Sequence, residues 1–187
     1  LKRGGSRWIG SERSEQRARA YRPRTRAAGH FGVRRAAVLS EQLLVDVSAD
    51  KLDKKTGQQS LKITYDAVSG GYIWAVRGYD WQIDWTKYGA ISFYLLGSGS
   101  GAKIAFDVKD AGGEIFRFIA TDDSKDWKLI VCSFDQLVAR TDWQPPTATA
   151  NGTLDFPIKS FQFEPLPVGR GVLNVDEVAL EPLNYQN

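Results

Sequence analysis

From residue 40 to residue 180 the chain is cut into short runs in which apolar and polar residues alternate, each run ending in a cluster of Gly, Asp or Ser. Alternation with a period of two places successive side chains on opposite faces, the signature of a half-buried strand. The runs cover 43–48, 60–66, 72–77, 90–96, 103–109, 114–120, 127–134, 158–166 and 171–180. Between them stand 69–71, 97–101, 110–113, 122–125 and 168–171, all rich in turn residues. Only 133–139 suggests a helical turn. Aromatics make up 12% of the chain, including six Trp and seven Tyr, and Met is absent; flat rings fit a pleated, half-buried surface. The predicted fold is all-β, an antiparallel β-sandwich of the jelly-roll kind.

Charge divides the chain. Residues 1–39 carry eleven Lys/Arg against Glu12 and Glu15, a balance of +9, so with +3 overall the remainder carries −6. The tail has almost no aliphatic periodicity and is expected to be disordered, because it cannot bury enough apolar surface to offset its ordering entropy. It reads as an RNA- or anion-binding arm, an Arg-rich transit segment, or an upstream stretch translated out of frame. The sandwich is expected over 40–182, with 183–187 as a short C-terminal tail. The high pI belongs to the tail, so nucleic acid is not an expected partner of the domain. No run of 18 apolar residues is present, so no membrane-spanning segment is expected, and the first 30 residues lack the apolar core of a secretory signal.

Cys132 is the only cysteine and His30 the only histidine. Cys132 shares the alternation of Ile130 and Phe134, which predicts a small buried core residue rather than a nucleophile. Trp85 and Trp127, at strand starts, are expected to be structural anchors.

Parity sorts the faces. Leu61, Ile63 and Tyr65; Ile91, Phe93 and Leu95; Ile104, Phe106 and Val108; Phe116 and Phe118; and Phe161 and Phe163 form the expected core. The opposite face carries Tyr72 and Trp74, then Asp107 and Arg117, which the 110–113 turn should set across from each other, then Ser160, Gln162 and Glu164. It is a polar face with aromatics on it.

The stretch Arg140-Thr-Asp-Trp-Gln-Pro-Pro146, followed by Gly152-Thr-Leu-Asp155 and the 158–163 strand, resembles carbohydrate-binding modules of family 11. Ser60-Leu-Lys-Ile-Thr-Tyr65, Gly71-Tyr72, Asp84-Trp85, Asp126-Trp-Lys128 and Val175-Asp-Glu-Val178 agree with it. The resemblance covers about 42–182. It implies a non-catalytic, monomeric module, secreted or at the cell surface, that binds a β-glucan chain (β-1,4 or mixed β-1,3-1,4) in a concave-face cleft and targets an attached hydrolase. By position Tyr72 matches a binding tyrosine, Arg140 and Asp142 a polar clamp, and Trp143 a cleft tyrosine. Sugar rings offer apolar faces edged by hydroxyls, so a site needs flat rings and fixed hydrogen-bonding groups. Tyr72, Trp74 and Trp143 can supply the first, and Arg140, Asp142, Asp107, Arg117 and Gln162 the second. No cofactor is required. The resemblance also implies a structural calcium, with Asp176 as its late ligand, but the family's early acidic strand is absent. A late-strand tyrosine is missing as well, where this chain reads Glu164-Pro-Leu166, and a family aspartate falls at Lys159.

Three residue sets have a second reading. Trp143 could plug a pocket beneath Pro145 and Pro146, Tyr72 and Trp74 could pack under a loop, and Asp107 with Arg117 could be an ordinary solvated cross-strand pair. Two other functions stay open: a jelly-roll glycoside hydrolase using carboxylates among Asp107, Glu114 and Glu164, and a protein-interaction sandwich of the complex I assembly factor type.

Overall fold

The computed structural model describes residues 32–35, 44–67, 73–83, 85–166 and 169–183, with side chains described over 46–66, 85–166 and 169–183. Two antiparallel sheets pack face to face. The first holds, in spatial order, β1 (Gly32–Arg35), β4 (Ile73–Ile83), β10 (Ile158–Pro165), β6 (Lys103–Lys109), β7 (Ile115–Thr121) and β9 (Val138–Ala139). The second holds β2 (Leu44–Asp50), β3 (Ser60–Ala67), β11 (Gly169–Pro182), β5 (Tyr88–Leu96) and β8 (Lys128–Ser133). The sole helical element among the described residues is a 3-10 turn, Phe134–Gln136, inside the stretch expected to turn.

All nine expected runs are strands, and β6 has the bounds read from its alternation. Two strands are additional. β9 is two residues long, too short for periodicity to register. β1 lies within the tail expected to be disordered, and for Gly32–Arg35 that expectation is corrected: they pair with β4 from Gly32↔Val76 to Arg35↔Ile73. The edge of β4 offers a row of backbone donors and acceptors, which a neighbouring segment can pair with whatever its side chains. The rest of the 1–39 segment lies outside the described residues. β4 also runs to Ile83, six residues past its expected end. Gly78 and Asp80 are poor strand formers, but β10 pairs with Ala75–Gly78 and again with Ile83 across an irregularity, and this pairing outweighs local propensity.

The core forms where the expected faces meet. Ile63, Phe93, Phe106 and Val108 are wholly buried. Phe93, Phe106, Phe161 and Phe163 interlock, with Phe93 and Phe163 edge to face at 5.0 Å and Phe106 and Phe163 tilted at 5.3 Å. Trp85 is buried and stacks on Phe134 at 5.8 Å, as an anchor should, whereas Trp127 is only half-buried. Cys132 is buried, and burial pushes its thiol up to about 12, so it is inert as a nucleophile.

The hairpin between β6 and β7 sets the register on which the site depends. Asp110 closes it twice: its N–H donates to the Glu114 carbonyl at 3.0 Å, and its Oδ1 accepts the Glu114 N–H at 2.8 Å. Gly113 sits at φ +87°, a conformation that favours glycine. The result is Phe106↔Phe118, Asp107↔Arg117 and Val108↔Phe116.

Candidate functional site

Because Phe106, Val108, Phe116, Phe161 and Phe163 face the second sheet, their neighbours face outward. Gln162↔Asp107 on one side and Asp107↔Arg117 on the other put three polar side chains in one row, which Arg117↔Val138 extends to β9. At the usual strand spacing the row from Gln162 to Val138 is about 14 Å long. Glu164 stands one step along β10 on the same face.

Asp107 is the hub. Its Oδ1 accepts Arg117 Nε at 2.7 Å, and its Oδ2 accepts Arg117 Nη2 at 2.8 Å, Gln162 Nε2 at 3.0 Å and Arg140 Nη1 at 3.1 Å. Arg117 Nη2 also contacts Glu164 Oε2, which Arg140 Nη1 approaches to 3.5 Å. Asp107 is 1% exposed and the Arg140 side chain 5%, so the solvated cross-strand pair does not describe this site. Arg117, Arg140 and Gln162 all donate to Asp107, and desolvated charges of this kind are kept only by close pairing. Burial works against the charge of Arg117, but Asp107 and Glu164 raise its pKa above the ordinary arginine value. Glu164 responds the other way: burial raises its pKa, and the two arginines only partly offset this.

Arg140 follows β9 directly, with its N–H donating to the Ile115 carbonyl at 2.9 Å. Its guanidinium points inward at Nη1 and outward through a fork, with Nε at 3.0 Å from Asp142 Oδ1 and Nη2 at 2.6 Å from Oδ2. That fork lowers the Asp142 pKa to about 2. Of the expected clamp, Arg140 is therefore the buried half and Asp142, 48% exposed, the half that solvent reaches. Trp143 next to it is 53% exposed, which is not the setting of a plug under Pro145 and Pro146. Gln144 fastens the loop: its Oε1 accepts the Ile115 N–H at 2.8 Å, and its Nε2 donates to the carbonyls of Ile115 at 2.9 Å and Arg140 at 3.0 Å.

The structure thus brings Asp107, Arg117, Gln162, Arg140 and Asp142 together, and Trp143, exposed, follows Asp142 in the chain. Tyr72 lies outside the described residues; Trp74 is placed in β4 opposite Arg34 of β1, its side chain outside them. Glu164, in the sequence a candidate acid on the polar face, joins this network as well, as its parity with Gln162 on β10 implies.

The surroundings of Asp176 do not fit a calcium ion. Its Oδ2 accepts the N–H groups of Lys55 and Thr56 at 2.8 and 3.1 Å, and its Oδ1 that of Glu177 at 2.8 Å. Positive N–H ends occupy the positions a cation would need, and no group of three or more His, Cys, Asp or Glu that could hold a metal occurs among the described residues. Asp176 ties the 50–60 loop to β11 instead. The third candidate acid, Glu114, is also committed, accepting the N–H groups of Asn151 and Gly152 at 2.9 and 3.0 Å.

A family model described as carbohydrate binding domain (family 11) matches residues 39–181. The chain belongs to carbohydrate-binding family 11. Across the family, endoglucanase H of Acetivibrio thermocellus is 31% identical over 142 residues, 72% of this chain and 15% of that enzyme. The chain therefore spans a small part of this much longer relative. A family 11 carbohydrate-binding module from Clostridium thermocellum in complex with a β-1,3-1,4-mixed-linked tetrasaccharide superposes with a TM-score of 0.64 at 30% identity, covering 74% of this chain and 84% of that one. The family 11 module of a cellulosomal cellulase from the same organism gives 0.65 at 26% identity, over 82% and 96%.

Proposed function

We propose that this family 11 domain binds a neutral β-glucan chain, β-1,4 or mixed β-1,3-1,4, on the outer face of its six-stranded sheet, without catalysis. The observation that carries the reading is the exposed Asp142–Trp143 pair, backed by the buried fork of Arg140. The indole offers a flat surface to the C–H face of a sugar ring. The carboxylate, ionised down to about pH 2, accepts hydrogen bonds from the ring hydroxyls. Gln162 extends the polar row toward a neighbouring sugar.

Two guanidiniums and three carboxylates give the cluster a net charge of −1, which suits uncharged sugars and disfavours uronic acids. Catalysis has little support, since Asp107, Glu164 and Glu114 are each engaged by donors rather than poised across a bond. The mixed-linked ligand of one relative and the cellulase setting of the others support β-glucan as ligand. They also support a secreted enzyme as the setting, with this domain holding a catalytic partner near its polysaccharide. Affinity electrophoresis through gels containing barley β-glucan, lichenan, xyloglucan, xylan or polygalacturonate tests this. Retardation by the mixed-linked glucans and not by polygalacturonate is expected; free migration in every gel would overturn the reading.

A further inference from the structure

The fork between Arg140 and Asp142 joins residues two apart in one loop, whose backbone Gln144 fastens to β7 without touching the guanidinium. What ties it to the sheet is the inner end of Arg140, where Nη1 sits between Asp107 Oδ2 at 3.1 Å and Glu164 Oε2 at 3.5 Å. Asp107 Oδ2 is already shared with Arg117 and Gln162. Its single charge is set against two guanidiniums, and Glu164 brings the second negative charge. We propose that Glu164, together with Arg117, is a positioning residue that holds Arg140 in the orientation from which Asp142 meets the ligand.

Two guanidiniums sharing one buried carboxylate would repel each other, and Arg140, whose guanidinium already has an outer partner in Asp142, is the one that can turn outward. Among the buried groups Glu164 makes the balance even, two charges of each sign, with exposed Asp142 bringing the whole cluster to −1, and Arg117 keeps its two carboxylates side by side by touching both. The charged groups facing Glu164 are Asp107 from β6, Arg117 from β7, and Arg140 from the loop after β9, with Asp142 beyond it. Burial raises the pKa of Glu164 while Asp142 stays ionised to far lower pH, so acidification reaches the support before it reaches the contact. The proposal rests on the glucan reading only for its ligand; the placement of Arg140 can be measured without one.

The test is a double-mutant cycle, titrating barley β-glucan calorimetrically into the wild type, Glu164→Gln, Asp142→Asn and the double variant. Glu164→Gln should weaken binding about tenfold, and the double variant should bind no more weakly than Asp142→Asn alone, because one change acts through the other. Wild-type affinity should fall as pH drops from neutral toward 4, and that dependence should flatten in Glu164→Gln. In 1H–15N spectra of the free protein, a protected Arg140 Nε–H signal should appear in the wild type and vanish in Glu164→Gln. Additive losses with the Arg140 signal intact would overturn the proposal. If the wild type binds no glucan, the functional reading falls, and the Arg140 signal alone decides the positioning role. If Glu164→Gln does not fold, Arg117→Lys, which breaks the same bridge while keeping its charge, takes its place in the binding cycle and in the spectra, where the same non-additivity and the same loss of the Arg140 signal are expected.

Discussion

Buried carboxylates are satisfied in two different ways on this molecule. On the outer sheet face Asp107 and Glu164 are answered by guanidiniums. In the loops Asp122 is answered by N–H and hydroxyl groups of residues 98–100: its Oδ1 accepts Gly99 N–H at 2.9 Å, and its Oδ2 takes the backbone and hydroxyl of both Ser98 and Ser100. Asp110 and Glu114 likewise hold backbone, as does the half-buried Asp176. Carboxylates bound to backbone fix the path of the chain, whereas carboxylates bound to arginines fix the side chains that a ligand would meet. The first kind maintains the fold and the second maintains the site.

The comparison breaks most sharply at Asp107. Asp107→Ala strands two desolvated guanidiniums and should cost about 3–5 kcal/mol in urea unfolding, although the residue lies on a face rather than in the core. Asp122→Ala should cost less, about 2 kcal/mol, since the freed donors can reach water. Gly97→Ala reports on the same cradle from outside, because a Cβ there would lie 2.3 Å from Asp122 Oδ1. It should lower the urea midpoint in step with Asp122→Ala and leave glucan binding alone. Trp143→Ala inverts the pattern, with stability unchanged within about 0.5 kcal/mol and affinity down about tenfold in gel retardation.

Acid sharpens the contrast by sign. Glu164 and Asp110 have raised pKa values, so they take protons more readily folded than unfolded and contribute stability that grows as pH falls. Asp122 and Asp142 are lowered, and their contribution is present above about pH 4 and lost below it. Urea midpoints should therefore hold or rise slightly from pH 7 to about 4 and drop below that. A decline already complete by pH 5 would contradict this assignment.

Period-two alternation made most of the sandwich legible, because a strand records its own faces in its own residues. It placed Asp107 across from Arg117 and buried Cys132 correctly. It could not show that Arg140 is buried, since a charged residue in a Pro-rich loop looks solvated and its inner partners lie 24 and 33 positions away in the chain. The length of β4 was hidden for a related reason: Gly78 and Asp80 argue against a strand, and the pairing that carries it through to Ile83 comes from β10 at Gly78 and Ile83. Glu164 was legible as a member of the polar face but not as the bridge between two arginines, because parity assigns a side and leaves the company there unnamed.

Gln144 carries one further consequence. Its side-chain amide docks on both backbone groups of Ile115 as if it were one more strand residue, and Arg140 is clasped at the other end of the same turn. Thr141, Asp142 and Trp143 are thus suspended between two fixed posts, all three on the exposed side. Such a segment is an exchangeable cassette. An engineer could vary Thr141 and Trp143 in a library, keeping Asp142 as the partner of Arg140, and ask the same frame to read other polysaccharides.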